Sequence, residues 1–373
     1  MKIAAILLPV LIMPLSSTYA LEYKGDLNSF EKFVTQYNLD WPVPKKIDYF
    51  EPIKGKGLIR YAHWIPGNEG NGNVVVHFNG RTEFIEKNIY TYKDLIKKGF
   101  EVWSLDWRGQ GLSTHDLKEK QKHHISSFDE YVNDANYFVD KVINLKKYRG
   151  KKVLLAHSMG GQIALRYLLQ ERDSQFDFAI LSSPLLKIPK DSFWLRIGNK
   201  IKKFFMKESC VLSKNPDWVG DFEKGKACSL IGSSKIENSE LINANDTKNY
   251  SNDFHKIAEI NCLIESSIGA NGKENPDLRL ACPTSNWLNA AFDSTDLTME
   301  LASKLNIPTL IVRAKPDTAV DPEGQDDFCN LSENCKLVSV PVMEGIQPGH
   351  ELLIEKEIVR KFFFDKFYEH IGL

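Results

Sequence analysis

The sequence predicts an α/β fold: a mostly parallel sheet flanked by helices, interrupted by an inserted, mainly helical cap. Three observations carry that reading. From residue 57 onward, short apolar runs alternate with amphipathic stretches. Over residues 186 to about 290 the alternation stops, and Lys, Asn, Ser and Asp replace strand-like runs before it resumes. One apolar run ends in a serine, two glycines and a helical repeat, which puts that serine at a strand-to-helix corner.

The elements follow in order. Lys2, the apolar stretch Ile3 to Leu15 and the small residues of "SSTYA" (Ser16 to Ala20) form a signal peptide over residues 1–20, cleaved after Ala20. The apolar stretch falls short of the ~20 residues that a bilayer span requires. No cysteine follows it to carry a lipid anchor. The expectation is an exported protein, periplasmic or secreted. The first part of the core occupies 21–185. Its strands are Leu58 to Trp64, Asn73 to Phe78 ("NVVVHF"), Glu101 to Leu105, Val153 to Leu155 and Ala179 to Leu181. Its helices are Ile85 to Lys98, a stretch with Phe128, Val132, Ala135, Val139 and Val142 on one face, and one with Ile163, Ala164, Tyr167 and Leu168 in register. The cap is assigned to 186–295. The second part of the core, 296–373, resumes with Leu301 to Leu305, Thr309 to Val312 and Lys336 to Val340, and closes with a helix from about Glu351 to Tyr368.

Composition excludes several classes. The 373 residues are 42% hydrophobic and carry a net charge of −1, with neither a basic surplus for nucleic acid nor an acidic tail. There are no repeats, no P-loop and no dinucleotide fingerprint, so no cofactor is expected. Six cysteines, Cys210, Cys228, Cys262, Cys282, Cys329 and Cys335, accompany the signal peptide, and an even count in an exported chain favours disulfides. None has C-x-x-C spacing, which argues against zinc. Of the connectivities open to six cysteines, chain order points to Cys210–Cys228, Cys262–Cys282 and Cys329–Cys335. His115, His123 and His124 cluster in "THDLKEKQKHH" and read as a solvated loop, so no metal site is assigned. Asn245, Asn249 and Asn330 head glycosylation sequons that matter only in a host that glycosylates secreted proteins.

The chemistry centres on Ser158. A strand–Ser–helix corner lifts the hydroxyl above the sheet, and the helix N-terminus offers backbone N–H groups to a developing oxyanion. The G-x-S-x-G pattern reads here Ala156-His157-Ser158-Met159-Gly160, with alanine for the first glycine. A serine hydroxyl needs a base, and the base needs an orienting acid. His350 stands in a Gly/Pro loop, "EGIQPGHELLIEKE", before the last helix. Asp317 follows the strand "TLIVRA" directly, and Asp321 is the alternative in the same loop. The N–H groups of Met159 and Arg81, the latter in the turn after "VVVHF", are the candidate oxyanion donors. The Arg81 side chain serves either substrate binding or an ion pair with Glu83. In the cap, "DSFWLRIGNKIKKFFMKES" reads as a basic amphipathic helix. Its apolar stripe is Trp194, Ile197, Ile201, Phe204 and Phe205, with Arg196, Lys200, Lys202, Lys203 and Lys207 as its charge. It fits either a membrane surface or the roof of an acyl pocket.

"AHSMGG", "FNGRTEF", "LDWRGQGLS" and "SFDEYVND", with "SSPLL" (Ser182 to Leu186) and "NPDLRLACPTSNWL" (Asn275 to Leu288), resemble the monoacylglycerol lipase and serine-aminopeptidase-like branch of the α/β-hydrolases. The likeness is strongest to bacterial lysophospholipases, covers most of 57–368 and is weakest between 190 and 270. It implies Ser158 as nucleophile, Asp317 as acid, His350 as base, and the amides of Arg81 and Met159 as oxyanion donors. Trp107 stands where the family often has histidine, which implies an altered pocket wall. Trp107, Trp194 and Phe205 are therefore the substrate-binding candidates. The expected function is a serine ester hydrolase that cleaves a lysophospholipid through an acyl-enzyme. A monoacylglycerol lipase or a general carboxylesterase is the alternative. The intact Ser, Asp and His weigh against a non-catalytic binding protein. The expected partner is the lipid substrate at a membrane surface, with no nucleic acid and no protein partner.

Overall fold

The computed structural model describes residues 23–373 apart from 68–69, 171–173, 190, 192, 212–227, 229–230, 232–252, 267–277, 279 and 281. The signal-peptide assignment lies outside the described residues.

A helix α1 (Leu27–Gln36) leads into β1 (Lys46–Phe50), β2 (Ile59–Trp64) and β3 (Val74–Phe78). Then come α2 (Ile89–Lys97), β4 (Glu101–Leu105), α3 (Phe128–Tyr137), β5 (Lys152–His157), α4 (Met159–Leu168) and β6 (Phe178–Ser182). Between β6 and the next strand lie α5 (Phe193–Met206), α6 (Phe254–Ser266) and α7 (Ser285–Leu301). The chain ends with β7 (Thr309–Arg313), α8 (Glu323–Leu331), β8 (Cys335–Ser339) and α9 (Glu357–Ile371).

The strands form one eight-stranded sheet in the order β1-β2-β4-β3-β5-β6-β7-β8. β2 runs antiparallel to both β1 and β4, and every pair from β4 to β8 is parallel. A parallel sheet is covered on both faces, so its central strands need apolar residues at every position. β3 and β5 meet that demand except at His77 in β3 and at Lys152 and His157, the two ends of β5. Val74, Val76, Leu154 and Ala156 pack on one side with α3, α4 and α7. Val75, Val153 and Leu155 pack on the other with α1, α2 and α9.

The expected core strands are present, and the structure adds α1, β1 and α8. The segment Leu301 to Leu305, where the alternation resumes, is the end of α7 and a short 3-10 turn, Ala302–Lys304. The last helix starts at Glu357, because Leu352–Ile354 form a separate turn first.

The cysteine pairing from chain order is corrected. The pairs are Cys210–Cys282, Cys228–Cys262 and Cys329–Cys335, with Cα separations of 5.4, 4.4 and 4.9 Å. α5 and α7 pack side by side, and the residue beyond one helix bridges to the start of the other through Cys210 and Thr284. That brings Cys210 to Cys282 across 72 residues of sequence. Cys228 lies against α6, where its sulfur approaches the Cys262 carbonyl. Only the short Cys329–Cys335 loop obeys proximity.

Candidate active site

Ser158 occupies the corner between β5 and α4 with φ +51° and ψ −118°. A non-glycine residue at positive φ is strained and persists only where its surroundings dictate it. Here the Ser158 N–H donates to the Ser182 carbonyl at 2.9 Å, and its carbonyl accepts from Leu185 and Gln162. Gly160 lets the helix come this close: a Cβ there would lie 2.1 Å from the Phe78 carbonyl oxygen. Ala156, in place of the usual glycine, is fully buried within β5 and pairs in register with Phe78 and Leu181. Its methyl fits the core that α4 covers.

His350 sits in the loop after β8. Its Nδ1 is 2.6 Å from Asp317 Oδ2, and both side chains are buried. The other Asp317 oxygen accepts the N–H groups of Ala319 and Val320, which pin the carboxylate in the loop after β7. Asp321 has a different task. It accepts the Glu323 N–H and lies 3.4 Å from Lys187. The His350 ring is 4.7 Å from the ring of His157, the residue before Ser158. Burial, and then the neighbouring His350, push His157 down to about 3. His157 is therefore neutral, with Nδ1 3.1 Å from the Ser182 carbonyl.

The turn after β3 abuts the elbow. A Cβ on Gly80 would lie 3.2 Å from the Ser158 Cβ. Three side chains hold this turn. Glu83 Oε2 accepts the Gly80 N–H at 2.5 Å. Gln110 Nε2 donates to the carbonyls of Gly80 and Glu83. Trp107 Nε1 donates to the Asn79 carbonyl at 2.9 Å. Trp107 thus departs from its expected role. It is fully buried between Phe78 and Tyr131 and has no surface to offer a substrate. Its indole steadies the turn that carries the candidate oxyanion amide. The Arg81 guanidinium lies 5.7 Å above the Trp287 ring of α7. Glu83, its expected ion-pair partner, is engaged with the turn and stands 4.0 Å from Lys87.

The residues that brace the site escaped sequence reasoning. Lys87 reaches Glu351, next to His350, at 2.5 Å and so spans from the oxyanion turn to the base loop. Glu83, three residues after Gly80, was open to inference, because a side chain closing a turn onto a nearby backbone N–H is a local motif. Lys87–Glu351 joins residues 264 apart in sequence and had no local signal.

α5 spans Phe193–Met206, inside the expected amphipathic stretch, and packs along α7. The side chains of Trp194 and Phe205 lie outside the described set. Ile201, Phe204 and Met206 are exposed, Phe204 to 84%. Arg196 pairs with Asp191 and Asp296, and Lys202 donates to the Cys210 carbonyl, so part of the expected surface charge is taken up by neighbouring groups. Among the described residues no group of three or more His, Cys, Asp or Glu could hold a metal. His123 is buried against the Tyr131 hydroxyl and His124 contacts Thr284.

A family model described as serine aminopeptidase, S33, matches residues 71–248. The chain is 27% identical over 339 residues to a probable lysophospholipase L2 of Haemophilus influenzae, covering 89% of this chain and 90% of that protein. It is 25% identical over 296 residues to lysophospholipase L2 of Escherichia coli K12, covering 77% and 76%. Among solved structures, a soluble variant of the monoglyceride lipase of Saccharomyces cerevisiae aligns with a TM-score of 0.62 at 17% identity, over 88% of this chain and 96% of that one. By its fold this chain is an α/β-hydrolase, and it is similar to the monoacylglycerol lipase and serine-aminopeptidase-like branch. The family match on this α/β-hydrolase includes β3, the Gly80 turn and the Ser158 elbow, and ends before Asp317 and His350. Those two residues come from the second part of the core.

Proposed function

We propose that this carboxylic ester hydrolase cleaves the acyl ester of a single-chain lipid, a lysophospholipid, through Ser158, His350 and Asp317. The observation that carries the proposal is the 2.6 Å contact between His350 Nδ1 and Asp317 Oδ2, buried beside the strained Ser158 corner. With Nδ1–H donated to the carboxylate, the Nε2 lone pair is available to take the Ser158 proton. The Ser158 oxygen attacks the ester carbonyl, and the N–H groups of Arg81 and Met159 receive the oxyanion. His350 then returns the proton to the departing glycerol oxygen, leaving the acyl chain on Ser158. Water, deprotonated by the same histidine, releases the fatty acid and restores the serine. Asp317 stabilises the imidazolium in both halves.

The lysophospholipid assignment draws on the names of the two bacterial relatives. Export is part of the proposal, supported by three cysteine pairs at disulfide distance. So is a membrane-surface station. The exposed Ile201, Phe204 and Met206 of α5 stand beside Lys200 and Lys207, which fits an anionic bilayer face. Among the described residues no helix is long and apolar enough to cross a membrane. The test is free-fatty-acid release from a panel of lysophospholipids, monoacylglycerols and diacyl phospholipids. Faster release from lysophospholipid than from monoacylglycerol is expected. The reverse order would move the assignment to monoacylglycerol.

A further inference from the structure

The loop that carries His350 is closed by its own last side chain. Glu355 is fully buried, and its Oε1 accepts the Gly349 N–H at 2.9 Å, immediately before the histidine. Its Oε2 accepts the Lys356 N–H at 3.1 Å, where α9 begins. The loop is fastened to the rest of the molecule through two carbonyls. Leu353 accepts from Thr91 of α2 and Arg360 of α9. Glu355 accepts from Lys256 at 2.9 Å.

Lys256 differs from the other anchors because it stands on α6, within the segment assigned to the cap. It is buried, its ammonium 2.5 Å from Asp253 and 5.3 Å from the Tyr90 ring. Burial, and then the nearby Arg360, push its pKa down from the ordinary lysine range. A buried ammonium is costly unless its donors are used. One goes to a neighbour on the cap side and another to the base loop. α6 is itself held in place by Cys228–Cys262 and by Trp41, whose indole donates to Glu259.

We propose that Lys256 is a positioning residue for catalysis: it ties the docked cap helix to the Gly349–Glu355 loop, so that His350 is held in register with Ser158 only while the cap is seated. The inference rests on reading His350 as the base. A base displaced by a fraction of an ångström loses rate rather than substrate affinity. The link therefore acts on kcat, and it acts equally on short and long substrates.

The experiment measures kcat and KM on a short soluble nitrophenyl ester and on a long-chain lysophosphatidylcholine, with the full mature chain. Lys256→Met is expected to lose about tenfold in kcat on both, with KM within about twofold. Lys256→Arg keeps a donor in place and is expected to recover most of the loss. Glu355→Met should lose kcat in the same way, whereas Glu355→Gln retains an acceptor for Gly349 and should not. Glu355→Met leaves in place the carbonyl that Lys256 reaches and cuts the next step of the same path, the side-chain bond to Gly349, so the double variant Lys256→Met/Glu355→Met should be little worse than the worse single one. Unchanged kcat in Lys256→Met overturns the proposal, as does a loss confined to KM or one that Lys256→Arg fails to restore. If Lys256→Met does not fold, Lys256→Gln, whose shorter side chain draws its donor back from the Glu355 carbonyl, takes its place, and unchanged kcat there overturns the proposal. A wild-type chain inert toward every ester would instead remove the hydrolytic reading itself.

Discussion

Asp317 and His350 stand 33 residues apart in the chain and 2.6 Å apart in the fold, while Asp321, in the same loop as Asp317, turns to Lys187. Asp317→Asn is expected to lower kcat by about a thousandfold or more, because an amide cannot hold the imidazole in the required tautomer. Asp321→Asn should stay within about threefold of wild type. Steady-state kinetics on a soluble ester, with thermal melts to match stability, checks the pair. A larger loss for Asp321→Asn would exchange their roles.

The cysteine pairs make a mapping prediction. Non-reducing peptide mapping of protein from an oxidising compartment should yield Cys210–Cys282, Cys228–Cys262 and Cys329–Cys335. Opening Cys210–Cys282, which closes 72 residues, should destabilise more than opening Cys329–Cys335, which closes 6. Loop-closure entropy sets the former at roughly 2–5 kcal/mol. Recovery of a Cys210–Cys228 peptide would contradict the packing of α5 along α7.

Two buried histidines give stability a pH dependence. Burial pushes His77 down to about 4, and burial followed by His350 pushes His157 down to about 3. Unfolded, each takes up a proton below its ordinary value near ~6.5. The unfolded chain then binds more protons than the folded one, so stability present above about pH 6.5 is lost as pH falls toward 4. Each histidine contributes a slope of up to about 1.4 kcal/mol per pH unit. His77→Gln should flatten the fall in urea midpoint between pH 7 and 5, and an unchanged slope would show that His77 does not contribute.

The exposed face of α5 predicts a split between substrates. Ile201→Glu/Phe204→Glu should reduce sedimentation with anionic phosphatidylglycerol vesicles and slow release from vesicle-borne lysophospholipid by about tenfold. Hydrolysis of a short soluble ester should hold. An equal fall on both substrates would make the face a support of the fold.

The elbow was legible because its signal is local: Ser158 needs positive φ, Gly160 needs a missing Cβ, and both demands leave marks within six residues. The pairing of His350 with Asp317 left local marks, because Asp317 closely follows β7 and His350 stands in a Gly/Pro loop before the last helix. β1 escaped because an antiparallel edge strand with exposed Lys46 and Tyr49 carries only half of an apolar pattern. Trp107 was misread because a motif position reveals residue type and not burial. The cysteine pairing and the links Lys87–Glu351 and Lys256–Glu355 depend on which helices pack together, and no short-range spacing encodes that.

The most direct test of the account is free-fatty-acid release from lysophosphatidylcholine by Ser158→Ala beside the wild type, both purified from a host lacking other lysophospholipases. The account predicts that the variant folds with an unchanged melt and loses at least about a thousandfold in kcat, since the nucleophile is gone while the oxyanion amides remain. Release by the folded variant within about tenfold of wild type would contradict it.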